Sequence, residues 1–147
     1  MMRSYHVYLI EDEFASHYYG REQMFYQLFL DKERSQGELK SIIEKQIQYI
    51  TKPIPSLRVH KNINQKLSKN KDFRFENGAY YIERNGLFSA ARLEITERFA
   101  RVDSKGNFDS ETIFFEALRQ SEPSFLAIDL KHDRYGWLNP IKERKFV

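Results

Sequence analysis

Residues 11–30 read EDEFASHYYGREQMFYQLFL. At 3.6 residues per turn this is a helix of about five turns. A helical wheel gives it two apolar stripes. Phe14, Tyr18, Phe25 and Phe29 fall on one side, and Ala15, Tyr19, Tyr26 and Leu30 on a second. One stripe is enough to dock a surface helix on its own domain. The surplus has two readings. The plainer one, which the pattern alone favours, is a helix sandwiched in a small core. The other is a strip that a protein partner buries, since His17 and Arg21 supply a polar rim beside Phe14 and Tyr18. Glu11, Asp12 and Glu13 suit the positive end of the helix dipole. Gly20 lies mid-helix, where it marks a bend or a close approach of another backbone.

Outward from this stretch, Ser4 to Ile10 alternates as a strand does. Beyond the polar connector 31–37, residues 38–51 (ELKSIIEKQIQYIT) resume helical spacing. Leu39, Ile43, Gln46 and Ile50 share one side, while Gln48 lies opposite with Glu44 and Thr51. Pro53 and Pro55 end the helix, and the short link predicts an antiparallel helical hairpin. Residues 56–70 fit both periods, because Leu57, Val59, Ile63 and Leu67 suit an interrupted strand as well as a helical face; the reading leans to strand. A meander follows, with Asn77-Gly78 and Asn85-Gly86 as two-residue hairpin turns. Leu87, Ser89, Ala91, Leu93 and Ile95 share a face of one of its strands. Asp109-Ser110-Glu111 opens a third helix bearing Ile113, Phe114, Ala117 and Leu118 on one face. FLAIDL at 125–130 reads as a strand covered on both sides. The expected architecture is a single α+β domain over 1–147. Its antiparallel sheet is packed with the N-terminal two-helix hairpin and a third helix.

Composition narrows the function. The chain has 147 residues, 41% hydrophobic and 31% charged, which describes a folded chain rather than a disordered one. Twelve Phe and nine Tyr enrich it in the side chains that dominate cores and interface hot spots. The net charge of +3 is mild and spread along the chain, unlike the concentrated stripe of a nucleic-acid binder. Cysteine is absent, which excludes disulfides and thiol nucleophiles. No apolar run approaches the ~20 residues of a membrane span, and the N-terminus lacks a signal peptide's apolar region. A cytoplasmic location is expected.

The catalytic inventory is thin. Glu13 and His17 are one turn apart but have no third ligand at a recognisable spacing, so a solvated pair is the simpler reading. Asp129, His132 and Asp133 read as a turn before they read as a site. There is no GxSxG, HExxH or phosphate-cradling glycine loop. No enzyme activity, cofactor, metal or small-molecule substrate is expected. The nearest rival to protein binding is a nucleic-acid-binding accessory protein. It would use Lys61 to Lys71, or the mixed tail of Arg134, Tyr135, Trp137, Lys142, Arg144 and Lys145. A solvated face and a packed aromatic tail with a solvated basic end explain those residues better, so direct DNA binding is not expected.

Four long strings, YLIEDEFASHYYGRE (8–22), EKQIQYITKPIP (44–55), ETIFFEALR (111–119) and RYGWLNPIKERKFV (134–147), resemble the SirA family, the sporulation inhibitors of replication of endospore-forming bacteria. The likeness runs from end to end, and between about Ser56 and Lys105 it rests on pattern and length. It implies a protein-binding inhibitor whose partner is the N-terminal domain, domain I, of the replication initiator DnaA. It implies a contact surface on the first two helices. The family's contact Phe and Tyr fall on Phe14 and Tyr18, and its contact Gln falls on Gln48. Pro140 matches a position tied to the family's activity, and a backbone role in shaping the tail suits it better than direct contact.

Overall fold

The computed structural model describes residues 2–17, 20–84 and 88–139. Seven strands form one sheet: β1 (Met2–Leu9), β2 (Phe73–Glu76), β3 (Ala79–Arg84), β4 (Ser89–Ile95), β5 (Phe99–Gly106), β6 (Phe125–Asp129) and β7 (Arg134–Trp137). Their order is β2-β3-β4-β5-β1-β6-β7, and every pairing is antiparallel. β1 lies inside the sheet between β5 and β6, with Val7 and Leu9 fully buried and alternate residues facing the other layer. The expected α+β class with an antiparallel sheet is what the chain adopts.

The helices differ from expectation in number and placement. There are five among the described residues: α1 (Asp12–His17), α2 (Glu22–Arg34), α3 (Gly37–Ile50), α4 (Ser56–Leu67) and α5 (Asp109–Ser121). They cover both faces of the sheet. On one face, Val59, Ile63 and Leu67 of α4 and Phe114, Ala117 and Leu118 of α5 pack on Val7, Leu9, Ile82, Leu93 and Val102. On the other, Phe25, Tyr26 and Phe29 of α2 join Ile43 and Ile47 of α3 over Leu126 and Ile128. β6 is therefore buried at all five positions, as its unbroken apolar run requires. No helix among the described residues is long and apolar enough to cross a membrane.

Three corrections have physical causes. Residues 56–67 form a helix, not a strand. Val59, Ile63 and Leu67 are four apart and all buried, whereas the fourth apolar residue, Leu57, points to solvent. Three buried aliphatic side chains stabilise the helical choice by ~1.5–3 kcal/mol each. The long N-terminal helix is two helices, because Gly20 has φ +76°, outside the helical region. In α3 the buried side is Ile43 and Ile47; Leu39, Ile42 and Gln46 are exposed, and Thr51, expected outward, is buried. Of the two hairpin turns, Asn77-Gly78 has φ of 50° and 79°, as a type I′ turn demands. The other, Asn85-Gly86, lies with Leu87, Tyr18, Tyr19 and Pro140 outside the described residues.

The break at Gly20 carries a prediction. Nothing lies near a Cβ built there, so Gly20→Ala meets only backbone strain. A left-handed alanine costs ~1 kcal/mol, and in a domain of this size that lowers Tm by about 2–4 °C. Calorimetric melting checks it; an unchanged or raised Tm would mean the break is not held at that residue.

Candidate protein-interaction surface

The end of β1, the start of α1 and the end of α3 are stitched together by backbone hydrogen bonds. Glu11 N–H donates to the Ile50 carbonyl (2.8 Å) and Lys52 N–H to the Leu9 carbonyl (2.8 Å). Ile10 and Thr51 form a β-bridge. The last carbonyls of a helix lack intrahelical donors, and here they are supplied from outside. Thr51 Oγ1 donates to the Ile47 carbonyl (2.7 Å), and the Arg98 guanidinium donates to the carbonyls of Gln48 (3.0 Å) and Thr51 (3.1 Å). This corner of the molecule is therefore a fixed platform. Arg98, remote in sequence, is the residue that secures it.

The platform brings Phe14 to α3. Phe14 is half-buried, its ring edge-on to Tyr49 at 5.4 Å. Both line a groove of about 640 Å³ with Met24, Phe25, Leu28, Ile42, Lys45, Gln46 and Ile50. Its walls are apolar and unusually open to solvent: Tyr49 is 74% exposed, Met24 52% and Ile42 48%. Gln48 is exposed beside Tyr49 on the same turn of α3. Of the three residues expected to bind a partner, Phe14 lines the groove, Gln48 is exposed near the end of α3 but is not among the lining residues, and Tyr18 is outside the described residues. Tyr49, Ile42 and Met24 were not singled out from the sequence. A signal for two of them was there, since the apolar residues of α3 cover more of its circumference than docking on one side needs.

The other candidates among the described residues resolve into structure, while Lys142, Arg144 and Lys145 lie outside the described residues. Asp129 is buried at the β6–β7 turn. It accepts from the His132 backbone N–H (3.2 Å), His132 Nδ1 (2.8 Å) and Arg134 Nη2 (3.1 Å). Burial pushes the Asp129 carboxyl up, but the hydrogen bonds from His132 and Arg134 outweigh it and hold the pKa below the ordinary value. Asp133 takes φ 55° and accepts from the Tyr26 hydroxyl at 2.6 Å. Tyr135 stacks on Tyr26 (4.8 Å), and Trp137 meets Phe25 edge-on while its Nε1 donates to Glu22 (2.9 Å). These tail aromatics are engaged with α2, not held out as a base-stacking platform. Lys61, Lys66, Lys69 and Lys71 are all exposed, on and just beyond α4. Glu13 and His17 are exposed, and among the described residues no three His, Asp or Glu side chains gather as a metal site would need.

The low Asp129 pKa fixes a pH dependence. A carboxyl whose pKa is depressed on folding adds stability above its unfolded value, about 3.9, and loses it as pH falls through the folded one. Melting of the wild type should drop below about pH 4 more steeply than melting of Asp129→Asn, which should lose ~1–3 kcal/mol near neutrality. Parallel acid limbs for the two proteins would contradict the assignment.

The likeness to known proteins extends over nearly the whole of this architecture. The family model described as "Sporulation inhibitor of replication protein SirA" matches residues 3–142. The chain belongs to the SirA family. The "Sporulation inhibitor of replication protein SirA" of Bacillus subtilis (strain 168) is 44% identical over 152 residues, with all of both chains covered. This chain is a sheet with helices on both faces, and its α1–α3 corner presents an open groove with mainly apolar walls.

Proposed function

We propose that this chain inhibits initiation of DNA replication during sporulation by binding domain I of DnaA on the α1–α3 corner. Membership of the SirA family supports the process. The observation that supports the surface is the set of exposed apolar side chains, Tyr49, Ile42 and Met24, around the groove that Phe14 enters. An aromatic anchor with a polar rim is what a hot spot looks like before its partner arrives. Phe14 and Tyr49 supply the apolar centre, Gln48 a hydrogen-bonding amide, and Lys45 a cation for an acidic residue on the partner. Tyr18 belongs to the same surface on this reading. Inhibition is by occupancy: a domain held here is not available for initiator self-assembly or for loading of an activator. The chain works in the cytoplasm as a binding protein, with no chemical step and no cofactor.

Gel filtration of the chain with full-length DnaA, with domain I alone and with DnaA lacking domain I tests this. Co-elution with the first two and none with the third is expected. Equal co-elution with the truncated initiator, or none with any form, would overturn it.

A further inference from the structure

The sheet ends on one side at β2, and among the described residues no strand lies beyond it. The phase of the β2–β3 ladder shows what that edge offers. Glu83 N–H donates to the Asp72 carbonyl. Bonded and non-bonded pairs alternate in an antiparallel ladder. Arg74/Tyr81 and Glu76/Ala79 are then bonded pairs, and Phe75, opposite Tyr80, is not. The N–H and carbonyl of Phe75 therefore point away from β3, into the open edge. Phe75 is also 55% exposed, its ring tilted against Tyr80 at 4.8 Å.

We propose that a second copy of this chain pairs here, β2 against β2, about a two-fold axis through Phe75. About that axis the Phe75 N–H of each copy donates to the Phe75 carbonyl of the other. It sets Arg74 opposite Glu76 of the second copy, and Glu76 opposite its Arg74. Edge strands are commonly protected by a charge that meets its own like under such symmetry. This edge is self-complementary instead, with opposite signs directly across, a stabilising cross-strand pair. On the other face the two Phe75 rings come together between the two Tyr80 rings. In the monomer Arg74 already reaches two acids, Glu76 (3.2 Å) and Glu83 (3.0 Å), all three exposed. It can therefore turn to a third at little cost.

A strand of four residues a side makes a contact well below the ~800 Å² per partner of a standard interface, so the pair is weak and concentration-dependent. β2 lies at the opposite side of the sheet from β6 and β7, against which α2 packs. Pairing leaves both α1–α3 corners free, and the dimer is two-headed. This last consequence, unlike the pairing, rests on the function proposed above; against a partner present in several linked copies it raises avidity without a new contact.

Sedimentation velocity from about 10 μM to about 1 mM tests the pairing. The wild type should shift toward a dimer across that range. Glu76→Arg alone and Arg74→Glu alone should stay monomeric, since each sets like charges across the axis, and an equimolar mixture of the two should associate. Circular dichroism confirms that both variants fold. A wild type monomeric at the highest concentration would overturn the proposal. So would association that neither variant weakens, or a mixture no more associated than its components.

Discussion

Glu111→Ala should lower stability by ~3–5 kcal/mol, a large share of the ~5–15 kcal/mol that holds a domain folded. Glu111 and Arg3 are 1% and 3% exposed, and the Arg3 guanidinium donates to Glu111 Oε1 through Nε (2.8 Å) and again through Nη2. Arg3 also donates to the carbonyls of Gly106 (2.9 Å) and Asn107 (3.1 Å), with the Phe108 ring 4.3 Å from its guanidinium carbon. One cation thus ties the start of β1 to the end of β5 and the start of α5. Removing the carboxylate strands a buried charge, and that penalty exceeds what the pair contributes relative to apolar side chains. Joint replacement by Arg3→Met and Glu111→Met should therefore recover much of the loss. Chemical denaturation of the two variants checks both statements. A loss under about 1 kcal/mol for Glu111→Ala would contradict them. Because this pair sits far along the sheet from α1, partner affinity of the folded variant should not change.

Phe14→Ala should weaken binding to DnaA domain I by ~2 kcal/mol or more, roughly thirtyfold. The side chain is half-buried, so its truncation also loosens the contact with Tyr49. Two controls separate fold from interface. Tyr49→Ala removes a ring that is mostly exposed, and its loss of affinity should come with little loss of stability. Leu57→Ala, on the opposite face of the molecule and 89% exposed, should change neither. Calorimetric titration gives the affinities. Full affinity in the folded Phe14 and Tyr49 variants would remove the groove from the interface.

Much of this molecule is legible in its sequence, and the failures share a cause. Strand alternation at Ser89, Ala91 and Leu93, the turn at Asn77-Gly78 and the buried run at Phe125 to Asp129 follow from local rules, and each is where those rules put it. Where one string fits two periods, local rules do not choose. Val59, Ile63 and Leu67 become helical because a second helix, α5, offers them a packed layer on that face. Gly20 allows either a continuous helix or a break. The choice is made by the anchoring of α1 to α3 through Glu11 and Ile50, residues 39 apart in sequence. The same anchoring makes the candidate site. A wheel drawn through residues 11–30 sets Phe14 in line with Phe25 and Phe29, whereas the broken chain turns Phe14 toward Tyr49. Long-range contacts of this kind, with Arg98 on the end of α3, leave no periodic trace. The pattern offers Phe14, Tyr18 and the outward Gln48 as an aromatic-plus-polar anchor, and the resemblance picks out the same three. Gln48, exposed near the end of α3, is nevertheless not among the residues that line the groove.

The most direct test of the central claim is to titrate unlabelled DnaA domain I into the ¹⁵N-labelled chain and follow its amide resonances. Binding at the α1–α3 corner predicts shifts concentrated at Phe14, Met24, Ile42, Lys45, Gln48 and Tyr49, with α4, α5 and β2 unmoved. No shifts at saturating domain I, or shifts centred on α4 and α5, would contradict it.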